Sequence, residues 1–326
     1  MITRRQLLIA LTSAVAAPPV AIAQEKVRRV AWFGVGQGNK PAFPPFLDAF
    51  RAGMREAGWN EGQNMALNFF LNDDTPEESE RLARQMLLTK PDLLITHGRE
   101  VPIAYRVKPT CPVVFAYSGN PVDAGFVQSY AHPGGNFTGV SFMSLELVGK
   151  RIELLRELLP RLSRLAVLAR PEHAGEHRER AAAEEVATKL GIKTVYVPIK
   201  TATGLDDALQ SIAQQKCDAM LAFPDGVMLA NSGRIAKFAL EAKIASVSGW
   251  GQFAVNGLLF SYGPVLQDGF RRLGYYADRI LRGTSPSELP IELPRTVELV
   301  LNMKTAKALG VKIPDSIRVR ADKVIE

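Results

Sequence analysis

Apolar residues along this chain fall into two patterns that alternate from end to end. Short unbroken runs such as Val30-Ala31-Trp32-Phe33, Leu93-Leu94-Ile95, Val113-Val114-Phe115-Ala116-Tyr117, Leu165-Ala166-Val167-Leu168 and Ala219-Met220-Leu221 show no polar interleaving. Strands of a parallel sheet look like this, because both of their faces are covered. Met65 to Phe70, Lys193 to Val197, Ile244 to Ser248, Leu258 to Gly263 and Glu298 to Leu301 read as further strands. Between them lie stretches with helical spacing. Phe43 to Ala57 places Phe46, Leu47, Phe50 and Met54 on one face and stops at Gly58. Thr75-Pro76-Glu77-Glu78 opens a helix to Leu88, with a capping hydroxyl, proline in the first turn and acids at the positive end. Leu145 to Leu159 stops at Pro160, a further helix ends at Leu190-Gly191, Val265 to Leu281 forms another, and Lys304 to Leu309 stops at Gly310.

The pattern starts twice. Arg164 to Leu168 echoes Arg29 to Phe33, Lys216-Cys217-Asp218 before its strand echoes Lys90-Pro91-Asp92, and Ile244 to Ser248 takes the place of the Val113 strand. The repeated order predicts an α/β protein of two doubly wound parallel-sheet lobes, joined by a hinge and facing each other across an interlobe cleft. The breaker clusters divide it into residues 24–121 with 250–288 as an N-terminal lobe, and 122–249 with 289–326 as a C-terminal lobe. The strand at Leu258 thereby returns to the first lobe, and the hinges fall near Ser118–Pro121, Ser248–Gly251 and Pro286–Pro294.

The first 23 residues read as an export signal rather than as part of the fold. Arg4-Arg5 precede an apolar run too short to span a bilayer, Pro18-Pro19 break it, and Ala21-Ile22-Ala23 offers a cleavage site before Gln24. Thr3-Arg4-Arg5-Gln6-Leu7-Leu8 fits a twin-arginine signal as well as Sec export, so the mature chain is expected outside the cytoplasm. The formal charge of +7 falls to +5 without Arg4 and Arg5, and the remaining basic residues are scattered, which argues against a nucleic-acid partner. Cys111 and Cys217 are too few for a disulfide framework and, in separate lobes, are expected as free, largely buried thiols.

Most catalytic motifs fail. Gly34-Val35-Gly36-Gln37-Gly38 has Asn39 where a dinucleotide fingerprint needs its third glycine and lacks the acid closing the second strand, so it reads as a flexible ligand loop. No G-x-S-x-G elbow occurs. His173-Ala174-Gly175-Glu176-His177 fits the inverted zinc-protease pattern, which keeps an exported hydrolase or metalloenzyme as the alternative. In its surroundings of many charges, the pair reads instead as solvated residues of a helix's first turn. No cofactor or metal is expected. The strand exits remain, where ligands of open α/β sheets bind. They offer Gly36, Gln37, His97, Gly98, Arg99, Ser118 and Asn120 from the first half, with Arg170, Asp225, Trp250 and Tyr262 from the second. Amides, hydroxyls and charges of this set suit a polar head group, and Trp250 or Tyr262 an apolar body. Each also has a structural role to set against this: Asn120 as a turn residue, Asp225 as a helix cap, Trp250 and Tyr262 as core.

Asn120-Pro121-Val122, His132-Pro133-Gly134-Gly135-Asn136-Phe137-Thr138-Gly139, Gly149-Lys150-Arg151-Ile152-Glu153-Leu154-Leu155, Gly257 to Gly263 and Leu299 to Gly310 together resemble the ABC-transporter substrate-binding family of the tryptophan/tyrosine transport type. The likeness extends over nearly all the mature chain. It implies a type I periplasmic binding fold that closes, without catalysis, on a small-molecule ligand and presents it to an inner-membrane permease. A monomer is expected, with a receptor feeding a membrane sensor as a variant of the same reading. The chain departs from the family at Asn120, where an Asp is usual, at His97-Gly98-Arg99, which replaces a small-residue loop, and at Ala169-Arg170-Pro171. Arg99 and Arg170 favour a small carboxylate-bearing ligand, with an aromatic body as an option.

Overall fold

The apolar runs become two parallel sheets, each wrapped by the helices between its strands. The computed structural model describes residues 27–37, 40–72, 75–143, 145–199 and 204–326, so the expected signal peptide and Gly38 lie outside the described residues.

The first half forms β1 (Arg28–Gly34), a small hairpin of β2 (Gly36–Gln37) and β3 (Lys40–Pro41), α1 (Pro44–Glu56), β4 (Met65–Leu71), α2 (Pro76–Leu88), β5 (Leu93–His97), α3 (Glu100–Arg106), β6 (Val113–Tyr117) and β7 (Phe137–Ser141). Its sheet runs β4-β1-β5-β6-β7, parallel throughout. Helix α2 starts as its sequence demands, with Thr75 Oγ1 accepting from the Glu78 amide at 3.3 Å. The second half follows with α4 (Leu145–Leu158), β8 (Arg164–Ala169), α5 (Glu176–Lys189), β9 (Lys193–Pro198), α6 (Leu205–Gln214), β10 (Ala219–Ala222), α7 (Gly226–Ala230), α8 (Ser232–Glu241), β11 (Ala245–Ser248), α9 (Gly251–Val255) and β12 (Phe260–Pro264). Helix α10 (Leu266–Leu281) returns to lie on α1, and β13 (Val297–Asn302), α11 (Met303–Leu309), α12 (Asp315–Arg318) and β14 (Lys323–Ile325) complete the second lobe. The second sheet has the order β14-β13-β12-β11-β10-β8-β9, with β13 antiparallel to β12.

Two strands sit in the other lobe from the one the sequence suggested. β12 pairs with β11 and β13 in the second sheet, so only the helix after it returns to the first lobe. β7 is the edge of the first sheet, beside β6. The crossings move accordingly. The chain passes between lobes at Phe142–Leu145, at Pro264–Leu266 and between Glu292 and Val297, side by side: Ser141 N donates to Glu292 O at 3.0 Å and Val265 N to Thr296 O at 3.1 Å. Ser118–Pro121 and Ser248–Gly251 are loops within one lobe, and the Pro286–Pro294 segment leads into the third crossing. A buried, unbroken run shows that a strand is covered on both faces, but not which sheet it joins.

The core is continuous across the hinge. Phe46 stacks on Phe270 with centroids 4.3 Å apart, Phe270 on Phe142 at 6.1 Å, and Phe142 meets Trp250 edge-on at 6.5 Å. Cys111 and Cys217 are free thiols, Cys111 half-buried before β6 and Cys217 buried before β10.

Candidate functional site

The carboxyl ends of both sheets face a common cavity of about 400 Å³, in the range of small-molecule sites. Val35, Phe43, His97, Gly98, Arg99, Pro102, Tyr117 and Ser118 line it from the first lobe, and Arg170, Glu172, His173, Asp225 and the start of α7 from the second. A recess of about 50 Å³ continues inward from His97 and Ser118 to Phe142, Trp250 and Phe270.

On the second-lobe wall, Arg170 leaves β8 and sets Nη1 3.4 Å from Asp225 Oδ2. Asp225 is held by its other oxygen, which accepts from the Met228 amide at 2.7 Å and caps α7. The cap role and the cavity position coincide in this residue. Arg170 Nε is buried with no hydrogen-bond partner among the described residues, so this guanidinium retains donor capacity. Arg99, which precedes α3, spends its donors inside the first lobe: Nε on Glu100 Oε1 at 3.0 Å and Nη2 on Asn72 O at 3.2 Å. Burial raises the Glu100 carboxyl above its ordinary value, against the pull of Arg99.

Two imidazoles stand in the cleft in their neutral form. Burial pushes His97 down to about 4, while its ring rests against Trp32 and Phe270. His173 is lowered by the same cause, its ring stacks on Tyr117 at 5.8 Å, and its Nε2 lies 2.8 Å from Ser118 Oγ. Burial pushes the Tyr117 phenol up to about 12, so it too is neutral. Beside this pair the lobes touch: Asn120 N donates to Ala174 O at 2.9 Å, and Arg178 forms a two-pronged ion pair with Asp123 at 2.6 and 2.9 Å.

Of the residues singled out in the sequence, His97, Gly98, Arg99, Ser118, Arg170 and Asp225 line the main cavity and Trp250 the recess. The others fall elsewhere. Gly36 and Gln37 form the β2–β3 hairpin, whose flanking Val35 and Phe43 reach the cavity instead. Asn120 Oδ1 accepts from the amides of Val122 and Asp123, a local turn, and the residue does not line the cavity. Tyr262 is half-buried on the second lobe's core, and its carbonyl accepts from Arg151 Nε. Sequence reasoning missed Phe43 and Tyr117, and dismissed His173 as a solvated helix residue. His173 precedes α5 in the exit loop of β8. The strand-exit argument that singled out Arg170 applies to it equally.

This arrangement supplies a guanidinium paired with a carboxylate, Arg170 with Asp225, further charges at Arg99 and Glu172, several neutral donors and acceptors, and aromatic walls. It suits holding a solute. His177 is exposed on α5 while His173 faces Ser118, so the two imidazoles of the zinc-like motif do not converge. Among the described residues no group of three His, Cys, Asp or Glu side chains is placed to hold a metal ion, and no helix is long and apolar enough to cross a membrane.

Comparison with known proteins agrees with this geometry. Residues 39–325 match the family model described as ABC transporter substrate binding protein. The tyrosine-binding protein of Clostridioides difficile (strain R20291) is 23% identical over 274 residues, covering 82% of this chain and 78% of its own. A conserved domain protein from Vibrio cholerae superposes with a TM-score of 0.82 at 26% identity, over 92% of this chain and 100% of that one. An ABC domain from Streptococcus pneumoniae in complex with L-Trp gives a TM-score of 0.84 at 20% identity, over 92% and 100%. The two lobes, the three-stranded hinge and the cleft between facing strand ends are thus those of the type I periplasmic binding fold, and with the family pattern matched along most of its length the chain belongs to the ABC transporter substrate-binding protein family.

Proposed function

We propose that this protein is the extracytoplasmic receptor of an ABC importer, and that its solute is a small carboxylate-bearing molecule with an aromatic body, of the amino-acid type. The observation that carries this reading is the Arg170–Asp225 pair on the wall of an interlobe cavity whose opposite side is Phe43, Pro102 and Tyr117. An α-amino acid presents a carboxylate and an ammonium a few bonds apart, and a guanidinium beside a carboxylate is their complement. The names of two relatives, a tyrosine-binding protein and a domain in complex with L-Trp, support the same class. The protein works as a monomer exported by its N-terminal signal, and hands the solute to a membrane permease. It makes and breaks no covalent bond. Binding shifts an open–closed equilibrium by the solute's preference for the closed form, which touches it from both lobes.

Titration calorimetry of the purified protein with L-tyrosine, L-tryptophan, their 2-keto acids and a set of neutral sugars tests this. A carboxylate-bearing aromatic solute is expected to bind. Arg170→Ala is expected to weaken it about 10- to 100-fold, the worth of one charge-assisted hydrogen bond. Asp225 is expected to favour the amino over the keto acid. Binding of a neutral sugar that ignores Arg170→Ala refutes the reading.

A further inference from the structure

The inner recess contains one feature that the Arg170–Asp225 pair does not explain. Its walls are Phe46, Phe142, Leu229, Trp250 and Phe270, and the side chains it shares with the main cavity are Phe43, Ser118, whose hydroxyl is paired with His173, and His97. Only 7% of His97 is exposed, its ring lies 5.3 Å from the Trp32 ring and edge-on to Phe270 at 5.4 Å, and the side chain makes no hydrogen bond to any described residue. Its ring nitrogens are not among the fully buried unpartnered atoms, so they open onto the void, and a ligand that fills the void without a partner for them leaves a polar group unpaired. An unpaired imidazole that borders two joined voids is a group waiting for a partner that comes with the ligand.

We infer that His97 is a specificity-determining residue: it hydrogen-bonds to a polar group on the ligand's aromatic ring, a phenol hydroxyl or an indole N–H, as the tip of that ring enters the recess, so the cleft selects tyrosine- or tryptophan-like solutes over phenylalanine. This rests on the amino-acid reading above, in which Arg170 and Asp225 hold the head group from the other lobe. At neutral pH the imidazole is uncharged, with one nitrogen to donate and one to accept, so it can meet either ring group. The small size of the recess fits the edge of a ring and not a whole one. The seat of His97 is itself constrained. A Cβ on Gly34 would stand 2.7 Å from His97 Nε2, so only glycine at that place on β1 lets the ring take this position.

The test is the ratio of dissociation constants for L-phenylalanine and for L-tyrosine or L-tryptophan, measured by calorimetry on the full mature protein. Wild type is expected to prefer at least one of the polar-ringed amino acids by about tenfold or more, since a site built around a hydrogen bond rejects the analogue that lacks it. His97→Leu, similar in volume but without donor or acceptor, is expected to bring the ratio to about one while L-phenylalanine binding stays within a few-fold. His97→Gln is expected to restore part of the preference, and Gly34→Ala, which displaces the ring while keeping it, to lower the ratio. A melting curve for each variant shows that it is folded, and if the leucine variant is not, the glutamine and alanine variants carry the test. Equal binding of all three amino acids by wild type, or a ratio unchanged in His97→Leu and Gly34→Ala, overturns the inference and leaves the amino-acid reading standing. If wild type binds no aromatic amino acid, both fall.

Discussion

At the scale of single residues, burial sets the charge state of the cleft and makes the protein's stability depend on pH in a definite direction. His97 titrates near 4 in the folded protein against 6.5 in an open chain, because desolvation disfavours the imidazolium. Between those values the unfolded chain binds the proton and the folded one does not, so stability falls as pH drops from about 6.5 towards 4. The full shift corresponds to about 3 kcal/mol. Melting temperatures of wild type and His97→Leu across pH 4–7 check this: the leucine variant should lose less stability on acidification, and parallel curves would remove His97 as a source. The sequence went far at this scale and then stopped for a physical reason. Arg99 and Arg170 look alike as basic residues at strand exits, yet one binds Glu100 and Asn72 of its own lobe and the other pairs with Asp225 on the cavity wall while its buried Nε has no partner among the described residues. Asn72 and Asp225, 27 and 55 residues from their arginines, decide that difference. Asp225 was legible because capping and lining happen to coincide at the start of α7.

At the scale of elements, the contact that returns the chain to the first lobe is that of α10 on α1, and two glycines make it close. A Cβ on Gly53 would stand 2.1 Å from Arg271 O, and one on Gly274 would stand 2.5 Å from Gly53 C. Backbone meets backbone there, so no side chain can swing aside. Gly53→Ala is expected to destabilise by about 1–3 kcal/mol, the usual cost of overpacking, by forcing the helices apart. Gly233 in α8 has nothing within 4 Å of its would-be Cβ. Gly233→Ala should therefore stabilise by up to about 1 kcal/mol through helix propensity. Urea unfolding of the two variants checks the opposite signs, and a neutral Gly53→Ala would mean that the helices can separate without cost. Elements themselves were readable in the chain because covered parallel strands leave unbroken apolar runs and the helices between them carry capping and stop residues. Their allotment to sheets was not. β7 and β12 have the same buried character as their neighbours, and only the pairings of Phe137–Ser141 with β6 and of Phe260 with Val247 and Leu301 assign them.

At the scale of the whole molecule, three strands crossing side by side allow the lobes to turn about one line, and the contact of the Ser118–Asp123 loop with the His173–Arg178 segment joins the lobes. The contact is tight at one point. A Cβ on Gly119 would lie 2.6 Å from Ala174 O, a backbone atom of the opposite lobe, and 2.7 Å from the Tyr117 ring. The ring can shift, but the carbonyl is fixed by its bond from the Asn120 amide. Gly119→Ala should therefore prevent the lobes from meeting here while leaving each lobe folded, since the obstructing backbone belongs to the other one. A ligand that needs the closed form then binds with an affinity reduced by the fraction of molecules able to close. Small-angle scattering with and without a bound aromatic amino acid checks this. Wild type is expected to contract on binding, whereas Gly119→Ala should keep a larger radius of gyration at the same ligand concentration and require more ligand to saturate. Contraction of the variant to the wild-type radius would show that this loop contact is dispensable for closure, and that the hinge and the solute alone define the closed state.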